Sequence, residues 1–193
     1  MVLKTTNGIT VKLHSPSRKE MLFFLISGVI MSVPLTLFIG QYASDLLAGL
    51  SPYAATIISV AVFAPFIEEF SKAFPLFYRH GETQRSIFKL ALLVGLGFGF
   101  VEFLTYVFFL NVPLIDRIPG ILFHPASTSI TAYGIATRKA GYYYLIAVGL
   151  HFANNFLVVT TNLPQISVLI VGLAVLISWQ LHEKTKERIV ETP

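Results

Sequence analysis

Apolar residues in this chain neither alternate nor follow a single helical stripe. They gather in long runs. Six runs, near residues 21–40, 53–77, 87–110, 118–137, 141–161 and 164–181, are almost unbroken by charge. A bilayer core about 30 Å thick takes roughly 20 apolar residues in helical form, so each run predicts one transmembrane helix. The connections are short and hold the punctuation: SDLLAGLSP, YRHGETQRS, NVPLIDR, RKAG and TTNLP. The expected fold is an all-α polytopic membrane protein with about six transmembrane helices. An N-terminal tail over residues 1–20 precedes a six-helix domain over 21–181, and a C-terminal tail over 182–193 follows it. In the first tail Asn7-Gly8 lies between alternating residues, a short-range hairpin signal. A lone hairpin is marginal in water, and no function attaches to it.

Composition agrees with this reading. Of 193 residues, 54% are hydrophobic and only 12% charged, with a mean hydropathy of +0.72, far from a soluble domain. No linker divides the chain. There is no cysteine, which excludes disulfides, thiol catalysis and Cys-ligated metal. The polar first twenty residues and the long first run argue against a cleaved signal peptide.

The net charge of +4 is explained by where the basic residues lie. Lys4, Lys12, Arg18 and Lys19 precede the first run, and Arg79, Arg85 and Lys89 surround the second loop. Arg138 and Lys139 form the fourth loop, and Lys184, Lys186 and Arg188 are in the tail. The opposite loops contain only Arg117. Twelve against one is a strong positive-inside bias, and it places both termini in the cytoplasm. Spread over four segments, these residues outline no nucleic-acid groove. The bilayer is the expected partner, and the oligomeric state stays open.

Charge inside a membrane is costly, and ionisable residues there face the bundle interior, pair with one another and mark function. The second run holds Glu68, Glu69 and Lys72, and the third holds Glu102. The fourth holds His124, Ser127, Thr128 and Ser129, and the fifth His151, Asn154 and Asn155. The first and sixth have no ionisable residue in their interiors. Four consecutive spans, the second to the fifth, are therefore expected to converge on one polar site. Glu68, Glu69, Glu102, His124 and His151 lie within about four residues, or roughly 6 Å, of their span midpoints.

Spacing refines this. Lys72 is i+4 from Glu68 and i+3 from Glu69, so either carboxylate can pair with it. Two adjacent carboxylates rarely both ionise in low dielectric. One held by Lys72 and one free to exchange a proton would suit general acid–base work; the alternative is an ion pair that only fixes packing. Pro65, one turn before Glu68, is expected to kink the helix. Gly95 and Gly99 form a close-packing pair that would press Glu102 inward. His124 precedes Pro125, a position that disfavours helix, so a break is expected there, with a deeper helix whose N-terminus favours negative charge. His151 and Asn155, at i,i+4, could together donate to an oxyanion.

The ordered set EEFSK (Glu68, Glu69, Lys72), FGFVEF around Glu102, FHPASTSITAYG around His124 and LHFANNF around His151 resembles the motifs of the PrsW family of intramembrane proteases, over roughly residues 60 to 160. The wider group includes the CAAX-prenyl endopeptidases, with E-E-x-x-x-R, F-x-x-x-H and H-x-x-x-N. This chain keeps the last as His151 and Asn155. It has Lys72 one residue before the arginine position, and Glu102, four after Phe98, where that pattern has histidine. Both departures favour PrsW. The resemblance implies an intramembrane protease acting on a membrane-anchored protein, in the cytoplasmic membrane of a prokaryote. In bacterial members the substrate is an anti-sigma factor and cleavage begins regulated intramembrane proteolysis. Those members carry more spans or extra-membrane sequence than this chain shows.

The mechanism expected is hydrolysis by a glutamate-activated water. Glu68 is the expected base, with Glu69 held by Lys72, and the two could exchange roles. Glu102 and His124 orient water or protonate the leaving amine, and His151 and Asn155 stabilise the oxyanion. No serine or threonine forms a nucleophile motif. The alternative is a zinc metalloprotease, with Glu69, Glu102, His124 and His151 as candidate ligands, although no H-E-x-x-H is present. A glutamic or a metallo-type peptidase is thus open, with no cofactor required by the first. The rival class is a proton- or ion-coupled transporter, which midplane Glu, Lys and His residues also serve; no inverted repeat supports it.

Overall fold

A computed structural model describes residues 3–6, 9–12, 15–78 and 83–185. The Asn7-Gly8 turn, Arg79, Lys186 and Arg188 lie outside the described residues. Two short strands, β1 (Leu3–Thr6) and β2 (Ile9–Lys12), pair antiparallel with Thr6 opposite Ile9. Six long helices follow: α1 (Arg18–Asp45), α2 (Pro52–Phe77), α3 (Gln84–Phe109), α4 (Leu114–Ala136), α5 (Ala140–Thr161) and α6 (Pro164–Lys184). Each falls on one of the six apolar runs. Local chemistry sets their starts. Ser17 and Glu20 form a reciprocal capping box before α1, and the hydroxyls of Ser51 and Thr83 accept the free amides that open α2 and α3.

Among the described residues, five helices, all but α4, are long and apolar enough to cross a membrane. At 23 residues α4 is about 34 Å long, but its apolar run is diluted by Asp116, Arg117, His124 and a series of hydroxyls. Burial explains the dilution. From Phe123 to Ala136 most of its residues are buried, because α3, α5 and α6 all pack against it, α3 most extensively. A helix sheathed by protein does not need a lipid-compatible surface. The outer helices instead expose large apolar side chains such as Leu37, Phe38, Phe108 and Leu169, which is how a lipid-facing surface reads.

At Pro65 the helix departs from regular α geometry: the turns before it, Ile58–Phe63, widen into a π-type segment, which accommodates the proline ring and its missing N–H. Pro34 is preceded by a similar segment, Gly28–Ser32. One sequence expectation needs correction. The break expected at His124 is absent: α4 is continuous through Pro119 and Pro125. The bias of a pre-proline residue is overridden by packing and by side chains anchored on both flanks. The hydroxyls of Ser127 and Thr128 donate to the His124 carbonyl, and the His124 ring is held from two neighbouring helices. No deeper helix N-terminus therefore exists at Pro125.

Candidate active site

The site is built on a close approach of α3 to α4. A Cβ on Gly95 would overlap the His124 carbonyl, and one on Gly99 would lie 3.1 Å from the His124 ring. The two glycines let α4 settle against α3 with His124 beside Glu102, whose Oε2 meets His124 Nε2.

From α2, Lys72 reaches into the same space. It is fully buried, and its three ammonium protons have three acceptors: Glu69 Oε1 at 2.7 Å, His124 Nδ1 at 3.0 Å and Ser127 Oγ at 3.1 Å. With Lys72 donating to Nδ1, the neutral His124 ring has its proton on Nε2 and donates it to Glu102. The Phe98 ring lies 5.4 Å from the Lys72 ammonium, a cation–π contact.

Glu69 and Glu68 take different parts. Glu69 Oε1 accepts from Lys72 and, at 2.9 Å, from His151 Nδ1. Glu68 points the other way. Its Oε2 is buried without a hydrogen-bond partner among the described residues and is 3.7 Å from His151 Nε2. Ligand atoms of Glu68, Glu102 and His124 all lie within 4.8 Å of one another. Glu68 thus joins the candidate ligands Glu102 and His124 in a group that could hold a metal ion, while the other two candidates, Glu69 and His151, bond to each other. Asn155, expected to work beside His151, donates to the Val60 carbonyl at 2.9 Å. Asn154 accepts from Ser167 and so ties α5 to α6.

These groups stand at the inner end of a cavity of about 380 Å³. Its walls run in one direction, past Ser59 and Val60 on α2, Tyr106 on α3, Arg117 on α4 and Asn154, Val158 and Asn162 on α5. All lead to the end that carries the loops at 46–51, 110–113 and 162–163. On the other side a packed cluster of Leu76, Ile87, Leu90, Val94 and Ala132 closes the bundle.

A divalent cation could be held here once His124 Nε2 gave up the proton it directs at Glu102. Two carboxylates and an imidazole are a suitable donor set, they converge, and Glu68 Oε2 is a buried oxygen without a hydrogen bond among the described residues. Two features escaped the sequence reading. Lys72 bonds His124 and Ser127 as well as a glutamate, and Arg117 lies on the cavity wall with Nη2 3.0 Å from Glu102 Oε1. Its solitary position among the opposite loops was the signal for the latter.

No curated protein and no solved structure matches the chain. Residues 16–180 match the PrsW family of intramembrane metalloproteases. That span contains all six helices nearly in full, together with every residue of the cluster, and the chain belongs to the PrsW family.

Proposed function

We propose that this protein hydrolyses a peptide bond of a membrane-anchored protein, with water activated by Glu68. The observation that carries the reading is the place of Glu68: the Oε2 atoms of Glu68 and Glu69 are both buried without a hydrogen bond among the described residues, but of the two only Glu68 lines the cavity, beside Glu102 and His124. Five apolar helices and the family support an integral membrane peptidase. In the fuller reading α4 crosses with them, giving six spans. Both termini are cytoplasmic, as the twelve-to-one distribution of basic residues supports, and the cavity opens to the opposite face.

The division of labour follows from the bonds. Glu69, held by Lys72 and His151, remains a fixed negative partner. Glu68 is free to take a proton from water, and the resulting nucleophile attacks the scissile carbonyl carbon. Glu68 then returns the proton to the leaving nitrogen. Glu102 and His124 orient the water, and the Lys72 bond fixes the His124 ring.

A second reading rests on the convergence of Glu68, Glu102 and His124. These residues would hold a divalent ion, which when bound polarises a carbonyl and makes water a stronger acid.

The test is cleavage of a panel of single-span substrates by the purified protein in detergent, with and without a strong chelator. Glu68→Gln should lower turnover about 10²–10⁴-fold. Cleavage that survives chelation supports glutamate-activated water; cleavage lost to chelator and restored by zinc supports the metal. Turnover indifferent to Glu68→Gln would sink both, and ion flux after reconstitution would then point to a transporter.

A further inference from the structure

A tetrahedral intermediate needs hydrogen-bond donors aimed at its oxyanion. The pair expected to supply them is largely engaged. His151 Nδ1 donates to Glu69 and Nε2 faces Glu68, while the Asn155 amide gives a proton to Val60. Another donor stands on the cavity wall. The Arg117 guanidinium lies over the Tyr106 ring, with Cζ 3.6 Å from the centroid. Its Nη2 forms an ion pair with Glu102 Oε1, 3.0 Å away. Its Nε is buried and has no partner among the described residues. Tyr106 fixes the plane from one face and Glu102 fixes one edge, so the group is oriented before any substrate arrives and still has a proton to donate. It is also close to the chemistry. The Glu102 oxygen opposite Arg117 meets His124, and both belong with Glu68 to the group of ligand atoms within 4.8 Å.

We propose that Arg117 is a catalytic residue whose guanidinium donates through Nε to the oxyanion formed at the scissile carbonyl; the assignment rests on the protease reading above. In that step water gives a proton to Glu68, its oxygen bonds to the carbonyl carbon, and the carbonyl π pair moves onto the oxygen facing Arg117. Collapse restores the C=O bond and breaks the C–N bond, and the proton on Glu68 passes to the departing nitrogen. Arg117 exchanges no proton; it supplies permanent charge in a fixed fork.

The experiment measures kcat and KM on a cleaved single-span substrate for the wild type, Arg117→Ala, Arg117→Lys and Glu68→Gln, with thermal melting of each to check folding. Arg117→Ala should lower kcat about 100- to 1,000-fold and leave KM within about threefold, because the donor acts on charge present only in the transition state. Arg117→Lys, which keeps the charge without the fork, should fall between. Millimolar guanidinium should partly restore Arg117→Ala and not Glu68→Gln. A thioamide at the mapped scissile bond puts a weak acceptor opposite Arg117, so the Arg117→Ala penalty should shrink there by at least about tenfold. An equal penalty on amide and thioamide would reduce Arg117 to a positioning residue for Glu102 and overturn the assignment. So would a kcat within about threefold of the wild type. Absence of Glu68-dependent turnover in the wild type would instead remove the protease reading and this assignment together.

Discussion

Replacing Lys72 by methionine keeps the length and approximate volume of the side chain and removes its charge. Lys72 is 0% exposed and Glu69 is 1% exposed, so no solvent replaces the lost bonds. Three contacts disappear at once, those with Glu69, His124 and Ser127. The largest consequence is electrostatic, since Glu69 would remain a buried carboxylate bonded only through His151. Removing one partner of a buried pair costs about 3–5 kcal/mol, or roughly 10²–10⁴-fold in the folding equilibrium. Adding Glu69→Gln to Lys72→Met removes the stranded charge, and the double variant should recover about 2 kcal/mol or more relative to the sum of the singles. Equilibrium unfolding in mixed detergent micelles, followed by circular dichroism, measures both quantities. A loss below about 1 kcal/mol for Lys72→Met, the range of a surface pair, would refute the reasoning. So would strict additivity in the double variant.

Two further outcomes follow from the geometry. Gly95→Ala should destabilise the protein by about 1–3 kcal/mol and reduce activity, because the new methyl meets the His124 backbone; Gly141→Ala, with nothing within 4 Å, is the silent control. Zinc at a hundred times its Kd should stabilise the wild type by about 2.7 kcal/mol in a thermal melt and leave Glu102→Gln unmoved; equal shifts in the two would remove the metal reading.

What could be read from the sequence was what depends on one helix at a time. Run length located all six helices, and intramembrane charge singled out Glu68, Glu69, Lys72, Glu102, His124 and His151 before any fold was known. The limits appear where one helix meets another. An i,i+3 and an i,i+4 glutamate are equally placed for Lys72 on an isolated helix. Only the position of α5, which brings His151 against Glu69, separates the two carboxylates and turns Glu68 towards the cavity. The pre-proline bias at His124 is a local preference, and a ring anchored by Lys72 and Glu102 overrides it. Asn155 shares a face with His151, yet its partner is a carbonyl in the wide turn of α2, which periodicity cannot reveal. Gly28 and Gly97 were likewise missed, although a Cβ on either would overlap a backbone carbonyl across the α1–α3 contact. Small residues acquire this meaning only when the neighbouring helix is in place.

The polar character of α4 has a consequence for biogenesis. Insertion machinery sorts helices by hydrophobicity, and centrally placed charged residues are penalised by a few kcal/mol each. The most buried helix of the bundle is the one whose composition fits lipid least well. It is joined to α3 by the short segment at 110–113 and to α5 by that at 137–139. If α4 enters the bilayer, its entry is tied to that of its neighbours: α3 presents the glycines that receive His124, and α6 presents Ser178 to Ser129 at 2.7 Å. The cluster of Glu68, Glu102 and His124, drawn from α2, α3 and α4, would then come together only as the helices around it are put in place.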